Sequence, residues 1–530
     1  MKTKLLKLII VVLAVAVLTT SCVNDLNPVS LGAASVNSAT VYKTVSDYQS
    51  GLAKLYSAFA QSGQQGPSGN PDIINVDEGF ANYLREYWNL QELPTDEAVY
   101  SWAEDGNIRP LHWQTWTSTN TFSNMMFTRI MLAVTYCNEF IRASAGSTDP
   151  NIKQFHAEAR FLRALAYYHG LDIYGSPPFV TESDAPGAFF PPQTNPKDLF
   201  NYIDSELTAI ESQMGAARFQ YGRADQATLW MLQAKLYLNA EVYLGAGNGK
   251  YTQCLTALNK VIAAGYTLEP NYFLNFSADN NTSREMIFAF NYDGASTQSY
   301  GGSDYIINGE IGGNMDPTNY GTTNKWAQNR VTPEFVAKFA TANDHRGKFY
   351  TNGQTLQIAD VGDFTNGYAV TKFTNLTASG GQPPSQSRGG NIAFVDTDFP
   401  IFRLADAYLM YAEAVVRGGS GGDVGTATTY LNNVIERAYG NSSADHATLS
   451  VNSSNDLNFI LDERARELYW ECSRRTDLIR YGLLTGSSYL WTWKGNVQSG
   501  AATPAYLNLF PIPAVQMSSN PNLKQNTGYN

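Results

Sequence analysis

The sequence predicts a mostly α-helical protein, built as a helical array with a loop-rich subregion of short strands packed on it. Apolar residues recur at helical spacing in several long segments, and alanines recur on the same segments, where neighbouring helices must approach closely. Between about residues 266 and 400 the composition changes to Gly, Asn and Thr with short apolar pieces, which is typical of loops and short strands. The chain of 530 residues is long enough for one large array or for several domains.

The helices are bounded by start and stop signals. The segment 155–174 carries an apolar stripe that includes Phe155 and Leu162, and it ends at Gly175. Paired helices with alanine and aromatic knobs resemble tetratricopeptide repeats, although no self-similarity at the ~34-residue period is visible. We expect such helices over about 119–264 and 400–482. Individual helices are predicted at 45–60, 155–174, 197–213, 224–243, 251–264, 404–416, 425–437 and 456–481, and a strand at 286–291.

Two regions are predicted to be rich in loops, about 63–118 and 266–400. The first contains Gly, Pro and Asn together with several tryptophans, and the second is broken by four pairs of adjacent glycines. Long loops in a compact protein are usually either functional or disordered. We therefore expect the ligand-binding region to lie in these two parts of the chain.

The first 21 residues have the parts of a bacterial lipoprotein signal peptide. A basic start is followed by an apolar stretch that is too short to span a bilayer, and small residues precede Cys22. We expect cleavage before Cys22 and its acylation, by palmitate or a similar chain, so that the protein is anchored to a membrane by lipid. Residues 22–40 are small and polar and are predicted to form a tether. The alternative is an ordinary secretory signal in which Cys22 is incidental.

The composition limits the classes of partner. The formal net charge is −11, which argues against binding to the phosphate backbone of nucleic acid. Besides Cys22, only Cys137, Cys254 and Cys472 are present, without metal-like spacing, and we predict that they are buried. Aromatic residues make up 13% of the chain against 16% charged residues, a balance that suits a surface for amphipathic ligands such as sugars. For any single aromatic residue, a place in the core is the alternative.

Catalysis is not predicted, and neither is a catalytic cofactor. Glycoside hydrolysis needs two carboxylates about 5–10 Å apart, and Asp96, Glu97, Glu104 and Asp105 are the candidates. Asp96 and Glu97 follow Pro94 in a predicted turn, where such side chains usually bond to nearby backbone N–H groups. The five histidines do not have the spacing of a zinc site.

Two segments offer the hard oxygen ligands that suit calcium. Asp396 and Asp398 lie in one segment, and Asp279 and Asn281 lie in the other. A structural calcium ion between them is therefore one interpretation. The alternative is that Asp396 and Asp398 only begin the turn before Pro400.

Four phrases resemble the SusD/RagB family of outer-membrane lipoproteins of Bacteroidetes. Together with the signal sequence they span almost the whole chain in the expected order. The phrases are AEARFLRALAYYHGLDIYGSPPFVTE (157–182), FPIFRLADAYLMYAEAV (399–415), ERARELYWECSRRTDLIRYG (463–482) and FPIPAVQMSSNPNLKQNTGY (510–529).

The resemblance implies a single domain over 41–530 on the outer face of the outer membrane. It also implies a protein without catalytic activity that lids a SusC-type TonB-dependent transporter and delivers oligosaccharides to it.

Further segments resemble the starch-binding member of that family, at 92–108, 299–305, 321–326 and 489–496. In that member an arc of aromatic residues cups a helical α-glucan, and a pair of segments similar to those around Asp279 and Asp396 binds calcium. Matching positions for glycan binding are Arg85, Tyr100, Trp102, Asp105, Tyr300 and Trp326, with the loop 71–78, including Asp72 and Asn75, as a flap. The other tryptophans are assigned to the core or to interfaces: Trp113, Trp116, Trp230, Trp470, Trp491 and Trp493.

Two positions depart from the pattern of that family member. Tyr100 stands where the relative has tryptophan, and a tyrosine keeps a face on which a pyranose ring can stack. Asp105 stands where the relative has asparagine, and a carboxylate cannot donate a hydrogen bond to a sugar hydroxyl as an amide can. We expect the second change to affect which glucan fits.

The resulting hypothesis is a non-catalytic glycan-binding lipoprotein that captures starch-like α-glucan oligosaccharides and passes them to a TonB-dependent transporter. The alternative is a transporter lid of the same family with a different cargo, either another glycan such as fructan or dextran, or a peptide.

Overall fold

The structure is a computed structural model that describes residues 41–67, 69–102, 105–184, 187, 189–339, 343–440 and 446–529. The predicted signal peptide, Cys22, the tether and Glu104 lie outside the described residues. Within them α-helices predominate and strands are short, so the predicted fold class is confirmed.

The helices follow one another along the chain with few interruptions. In order they are α1 (Val45–Ala60), α2 (Tyr83–Glu92), α3 (Arg109–Trp113), α4 (Thr121–Ser144), α5 (Pro150–Tyr174), α6 (Pro196–Ile210), α7 (Gln226–Leu238), α8 (Ala240–Leu244), α9 (Tyr251–Ala263), α10 (Gly302–Glu310), α11 (Pro333–Val336), α12 (Leu404–Val416), α13 (Val424–Tyr439), α14 (Ser454–Leu468), α15 (Arg474–Arg480) and α16 (Ala514–Ser519). Helices α2 and α10 lie in parts that the sequence predicted only as loop-rich, and both help to build the candidate site.

Short polar side chains determine where several helices begin. Thr44 and Asp47 form a capping box at α1. Asp149 accepts two backbone N–H bonds at the start of α5, and Asp225 and Asp423 cap α7 and α13 in a similar way. Each cap satisfies backbone N–H groups that the first turn of a helix leaves without an internal partner.

The described strands form three small antiparallel sheets, each of two strands. The pairs are β1 (Ala98–Tyr100) with β3 (Asn329–Val331), β2 (Met286–Phe290) with β6 (Phe399–Arg403), and β4 (Phe349–Tyr350) with β5 (Ala369–Val370). The strand predicted at 286–291 is present as β2. Because β6 continues directly into α12, the β2–β6 sheet connects the loop-rich subregion to the helical array.

The long helices pack against their neighbours in sequence. Helix α4 packs on α5, α6 lies on α5, α7 pairs with α9, and α12 contacts α9, α13 and α14. Their buried faces merge into one hydrophobic core that extends from Leu52 to Leu523. Cys137, Cys254 and Cys472 are buried as free thiols, as predicted.

Most tryptophans assigned to the core are found there. Trp116, Trp470 and Trp491 are buried, and Trp113, Trp230 and Trp493 are partly buried. No helix among the described residues is both long enough and apolar enough to cross a bilayer.

The helix predicted at 224–243 is divided into two. Helix α7 ends at Leu238 and α8 begins at Ala240. At the break, the carbonyl of Lys235 accepts from both the backbone N–H and the side-chain amide of Asn239, and the Asn239 side chain accepts from Arg480.

The helix predicted at 456–481 is also wrong as a single element. Helix α14 ends at Leu468 and α15 begins only at Arg474, and both Trp470 and Cys472 have positive φ angles. Their backbone N–H groups donate to the buried carboxylates of Glu97 and Glu92, respectively. The bonds to these glutamates replace the hydrogen bonds that a continuous helix would have made.

A network of buried ion pairs holds α14 to the segments around it. Glu467 contacts Arg346 at 3.1 Å, Arg403 at 3.0 Å and Arg437 at 2.5 Å, and all four side chains are buried. Glu285 forms ion pairs with the last two arginines. Burial acts to raise the pKa of Glu467, but the charges of Arg437, Arg403 and Arg346 outweigh it and lower that pKa to about 2.

The substitution Glu467→Gln tests the stability of this network. It leaves three buried guanidinium groups short of a counter-ion, and breaking a buried pair in this way costs about 3–5 kcal/mol. We expect a clear fall in Tm at pH 7, measured by circular dichroism. Because the folded-state pKa of Glu467 lies below the ~4.3 of an unfolded glutamate, its contribution is present above pH ~4.3 and is lost as the pH falls through about 2.

The matched control is Glu436→Gln, since Glu436 is a half-exposed glutamate whose carboxylate lies 3.0 Å from the His446 side chain at the surface. A surface pair of this kind contributes about 0–1 kcal/mol, so the control should melt close to the wild type. An unchanged Tm for Glu467→Gln would contradict the stabilising role of the network.

Candidate functional site: a shallow aromatic surface

The exposed aromatic residues predicted for ligand binding lie beside the β1–β3 sheet. The N–H of Ser101 donates to the carbonyl of Gln328 at 2.9 Å, which extends the pairing beyond the two strands. Trp102 follows this contact and Trp326 precedes it, so both tryptophans lie at the same end of the sheet. We refer to the surface formed by Arg85, Trp102, Asp105, Tyr300 and Trp326 as the aromatic surface.

Helix α10 sets the spacing of the aromatic surface. Tyr300 lies just before its first residue, and the backbone N–H of Trp326 donates to the carbonyl of Asn308, near its last turn, at 3.0 Å. The hydroxyl of Thr322 donates to the Asn308 side chain at 2.8 Å and fixes the same segment. Tyr300 and Trp326 are therefore held at the two ends of one rigid element.

Tyr300 is fixed through its backbone, while its ring is 39% exposed. Its N–H donates to Glu78 Oε2 at 2.9 Å, and its ring lies 5.2 Å from that of Phe394. A Cβ at Gly301 would lie 2.0 Å from the Cβ of Asn82, so only glycine permits this close approach. The ring is thus supported from behind and presents part of its surface to solvent. Trp102 is exposed to the same extent, and Trp326 is partly buried.

Arg85 and Asp105 form the polar part of the aromatic surface. Arg85 Nη2 lies 3.5 Å from Asp105 Oδ2, and the guanidinium stacks over the ring of Tyr305 at 4.6 Å. The hydroxyl of Tyr100 donates to the same Asp105 oxygen at 2.5 Å. The Asp105 side chain is still 29% exposed, so it can accept a hydrogen bond from a ligand hydroxyl.

Tyr100 does not present a stacking face. It is 1% exposed within β1, which does not fit the stacking position implied by the family resemblance. Its hydroxyl instead joins Tyr100 to Asp105, which lie on either side of Trp102 in the sequence. Burial raises the pKa of the Tyr100 hydroxyl above its usual range, so this group remains a hydrogen-bond donor at physiological pH.

The loop 71–78 is joined to the scaffold at both ends, through Asp72 and Glu78, and is exposed near its middle. Asp72 forms an ion pair with Lys54 at 2.7 Å, and its N–H donates to the carbonyl of Ser62. This ion pair holds the Asp72 carboxylate against α1, so the carboxylate is not placed to bind a ligand as predicted. Asn75 is exposed, with a positive φ angle, and Ile74 beside it is also exposed.

The candidate catalytic carboxylates do not open onto the aromatic surface. Asp96 and Glu97 are buried, and Asp96 forms a bidentate pair with Arg474 at 2.7 and 2.8 Å. Glu97 accepts the N–H of Trp470, and burial raises the pKa of Glu97 to about 7. Both carboxylates therefore stabilise the interior of the protein. Their partners lie far away in the sequence, whereas the sequence predicted contacts within the local turn.

The two segments predicted to bind calcium do meet. Asn280 and Asp398 exchange two hydrogen bonds, of 2.7 and 3.2 Å, between the Asn280 side chain and the Asp398 backbone. The two oxygens of Asp396 accept the N–H groups of Gly294 and Ser385 at 2.8 and 2.6 Å. These contacts join the segments by hydrogen bonds alone.

The remaining predicted ligands are also engaged or turned outward. Asp398 accepts from the Tyr221 hydroxyl at 2.6 Å and from Asn291 at 2.9 Å, Asp279 accepts from Ser277 at 2.9 Å, and Asn281 is exposed. Burial raises the pKa of Asp398 to about 6. In the described parts of the chain there is no group of three or more His, Cys, Asp or Glu that could hold a metal. The prediction of a calcium site is therefore not supported. These oxygens already accept hydrogen bonds from N–H and O–H groups, and calcium requires about six to eight oxygen ligands.

Several residues that build the aromatic surface were not identified from the sequence. Tyr305 stacks on Arg85, Phe394 supports Tyr300, and Glu78 and Asn82 hold the segment before α10. Tyr305 lies in the phrase 299–305, so its place in that phrase was the one signal that could have indicated it. Glu78 and Asn82 are distant in sequence from the groups they bond, so no local pattern indicated them.

Comparison with known proteins gives relatives along the whole chain. A model of the SusD family matches residues 347–529. The starch-binding protein SusD of Bacteroides thetaiotaomicron is 33% identical over an alignment 583 positions long that covers 100% of both chains. The SusD-like protein P25 of Formosa agariphila is 26% identical over 411 residues, covering 70% of this chain and 73% of that protein.

Solved structures share the fold at low sequence identity. A SusD homologue from Bacteroides thetaiotaomicron has a TM-score of 0.71 at 18% identity, covering 93% of this chain and 98% of that one. The surface glycan-binding protein A from the same organism, in complex with laminarihexaose, has a TM-score of 0.67 at 20% identity, covering 91% and 99%.

The substitution Tyr100→Phe tests the positioning role of the Tyr100 hydroxyl. Removing a hydrogen bond to a charged group costs about 1.5–3 kcal/mol, so we expect a lower Tm and faster hydrogen exchange of the backbone around Trp102. Tyr202→Phe is the matched control, because the Tyr202 hydroxyl is buried without a hydrogen-bond partner among the described residues. Equal Tm and exchange in the two variants would contradict the role of the Tyr100–Asp105 bond.

The hydrogen-bonded state of Asp396 and Asp398 predicts that calcium has little effect on stability. Thermal melts with added calcium and with chelator should give the same Tm, with sodium chloride at equal ionic strength as the control. A rise in Tm with calcium that disappears in Asp398→Asn would show that these carboxylates exchange their present partners for the ion.

Proposed function

This chain belongs to the SusD family, and from that premise we propose that it is a non-catalytic glycan-binding protein of the cell surface. Its cargo is a starch-like α-glucan oligosaccharide, which it captures and passes to a SusC-type TonB-dependent transporter. The observation that carries the proposal is the aromatic surface, where rings at fixed spacing stand beside a partly exposed arginine and carboxylate. The 33% identity to the starch-binding relative over full length supports the choice of glucan.

The geometry of the aromatic surface suits a sugar chain. A pyranose ring has a face of C–H groups that packs on Trp102, Tyr300 or Trp326, and a rim of hydroxyls that can bond to Arg85 and Asp105. Rings held near the two ends of one helix on a shallow surface can contact successive sugar units rather than one enclosed unit. Stacking of this kind buries few polar groups, so the affinity expected is weak, roughly micromolar to millimolar.

The carboxylates support a role without catalysis. A hydrolase needs two carboxyl groups about 5–10 Å apart across the scissile bond. Asp105 lies on the aromatic surface, whereas Asp96 and Glu97 are buried and bonded to Arg474 and Trp470. Asp105 itself is bonded to Tyr100 and lies near Arg85, an arrangement that holds it as a fixed hydrogen-bond acceptor.

The signal sequence and the family support a position at the outer membrane. Acylation of Cys22 and the tether 22–40 would anchor the protein by lipid, with its body above the transporter that it serves. The small and polar composition of residues 22–40 suits a linker between the lipid and the folded body.

A different glycan is the second candidate cargo. A protein with the same fold holds laminarihexaose. Asp105, where the starch-binding relative has asparagine, is the difference on the aromatic surface that favours a change of sugar, since a carboxylate only accepts hydrogen bonds.

Isothermal titration and affinity electrophoresis against amylopectin, dextran, levan, laminarin and a peptide mixture test the cargo. We expect binding to amylopectin, and about tenfold weaker binding for Trp102→Ala and for Trp326→Ala, which corresponds to roughly 1.4 kcal/mol each. Phe190→Ala, which removes an exposed ring away from the aromatic surface, is the control and should bind like the wild type.

Failure to bind any α-glucan would overturn the proposed cargo, and binding to laminarin, levan or peptide instead would identify the replacement. Reducing ends are measured in the same samples. Steady release of new reducing ends from amylopectin would overturn the non-catalytic role.

A further inference from the structure

A second cavity, of about 710 Å³, lies apart from the aromatic surface and shares no lining residue with it. It is enclosed by the C-terminal end of α5, helix α8, the end of α15 and parts of the segment 505–527. Its volume falls within the range of pockets that bind small molecules, roughly 300–1,000 Å³. Capture at the aromatic surface leaves this cavity without a role.

The cavity has an exposed aromatic ring that is held firmly in place. Tyr506 lines it and is 39% exposed, and the ring of Tyr529 packs edge-on against it at 4.8 Å. The Tyr529 hydroxyl accepts from Trp116 Nε1 at 2.7 Å and donates to the carbonyl of Leu509 at 2.6 Å. A Cβ at Gly528, where φ is +96°, would lie 2.4 Å from the Tyr506 ring, so glycine lets the chain lie against it. Tyr506 thus matches the exposure and support of Tyr300.

Polar groups without protein partners lie around the same cavity. The backbone carbonyl of Asn508 accepts from Arg475, and its side-chain Oδ1 accepts from Thr485. Its amide Nδ2 has no hydrogen-bond partner among the described residues. Asn526 donates both of its amide bonds to backbone carbonyls, and its Oδ1 accepts none from the described part of the chain. The Tyr481 hydroxyl is buried and has no hydrogen-bond partner within the described ranges. The lining therefore offers a donor, an acceptor and a hydroxyl that can do either.

The charged groups in the lining are already engaged. Asp172 pairs with Arg475 at 3.1 Å, and Arg480 pairs with Glu413 at 2.7 Å. Glu241 accepts from the Tyr251 hydroxyl at 2.8 Å. An anionic ligand would find no free cation among the described lining residues, and an apolar ligand would leave the amide groups unsatisfied. Free donors and acceptors beside a tyrosine face fit a neutral, hydroxylated ring.

We propose that this cavity is a second glycan subsite that takes one or two pyranose units, with Tyr506 as the stacking ring. The proposal rests on the proposed function, since it assigns the cavity to the same class of cargo. The C–H face of the sugar packs on Tyr506, and its hydroxyls bond to Asn508 and Asn526. A long glycan that contacts both sites is retained through effective concentration, although each site alone is weak.

Saturation-transfer NMR and titration use maltose, which has only two pyranose units and so fits within one subsite. They test the second subsite separately from the aromatic surface. The double variant Trp102→Ala/Trp326→Ala should retain one class of binding, and adding Tyr506→Ala should remove it. With amylopectin, Tyr506→Ala alone should lower the apparent affinity on the order of tenfold. Phe190→Ala is again the control, and thermal melts establish that every variant is folded.

The outcomes distinguish this inference from the proposed function. If the double tryptophan variant binds nothing while Tyr506→Ala binds like the wild type, the second subsite is overturned and the aromatic surface stands. If Tyr506→Ala abolishes binding and the tryptophan variants do not weaken it, the aromatic surface is overturned and the subsite stands. If the wild type binds only another glycan, the same variants are titrated with that glycan. If the wild type binds no glycan at all, both the aromatic surface and the second subsite are overturned as binding sites.

Discussion

The shared carboxylate of Glu467 is the interaction on which much of the structure depends. Three arginines from separate segments, Arg346, Arg403 and Arg437, converge on it away from water. Each of these arginines has a second carboxylate partner, but among the described residues only Glu467 contacts all three, so it joins their separate ion pairs into one network. Arg403 ends β6 and Arg437 lies in α13. The Glu467 carboxylate therefore fixes the relative positions of α13, α14 and β6, the strand that leads into α12.

The same region also supports the aromatic surface. After α14 ends, the backbone N–H of Trp470 bonds to Glu97, and Arg474 bonds to Asp96. Those two carboxylates directly precede β1, the strand that leads to Trp102. The segment that leads to Trp102 is thus connected to the buried ion-pair network of Glu467 through backbone and side-chain hydrogen bonds. Rigid support of this kind lowers the entropy that a stacking surface loses when it binds.

The amphipathic helices could be predicted because periodicity is a local property, and α1 and α12 have the predicted ends. The break after Leu468 could not be predicted, because it depends on Glu92 and Glu97, which lie hundreds of residues away. The density of Glu and Arg in 463–475 was a signal for a buried network, yet the sequence does not show which charges pair.

The candidate site was predicted in part, through the family resemblance. The structure brings Arg85 and Asp105 together and exposes Trp102 and Tyr300, as a ligand surface requires. It buries Tyr100, whose place depends on pairing with a strand more than 200 residues later. The calcium hypothesis relied on carboxylates that are close in sequence, but their oxygens are satisfied by donors from distant segments.

The bond between Trp116 and Tyr529 joins two parts of the chain that are 413 positions apart. Contacts of such long range are slow to form, because the entropy of closing the loop is lost before the contact is gained. Helix pairs that are closer in sequence, such as α4 with α5 and α7 with α9, have shorter loops to close. We therefore expect the C-terminal segment to pack late in folding, after these pairs.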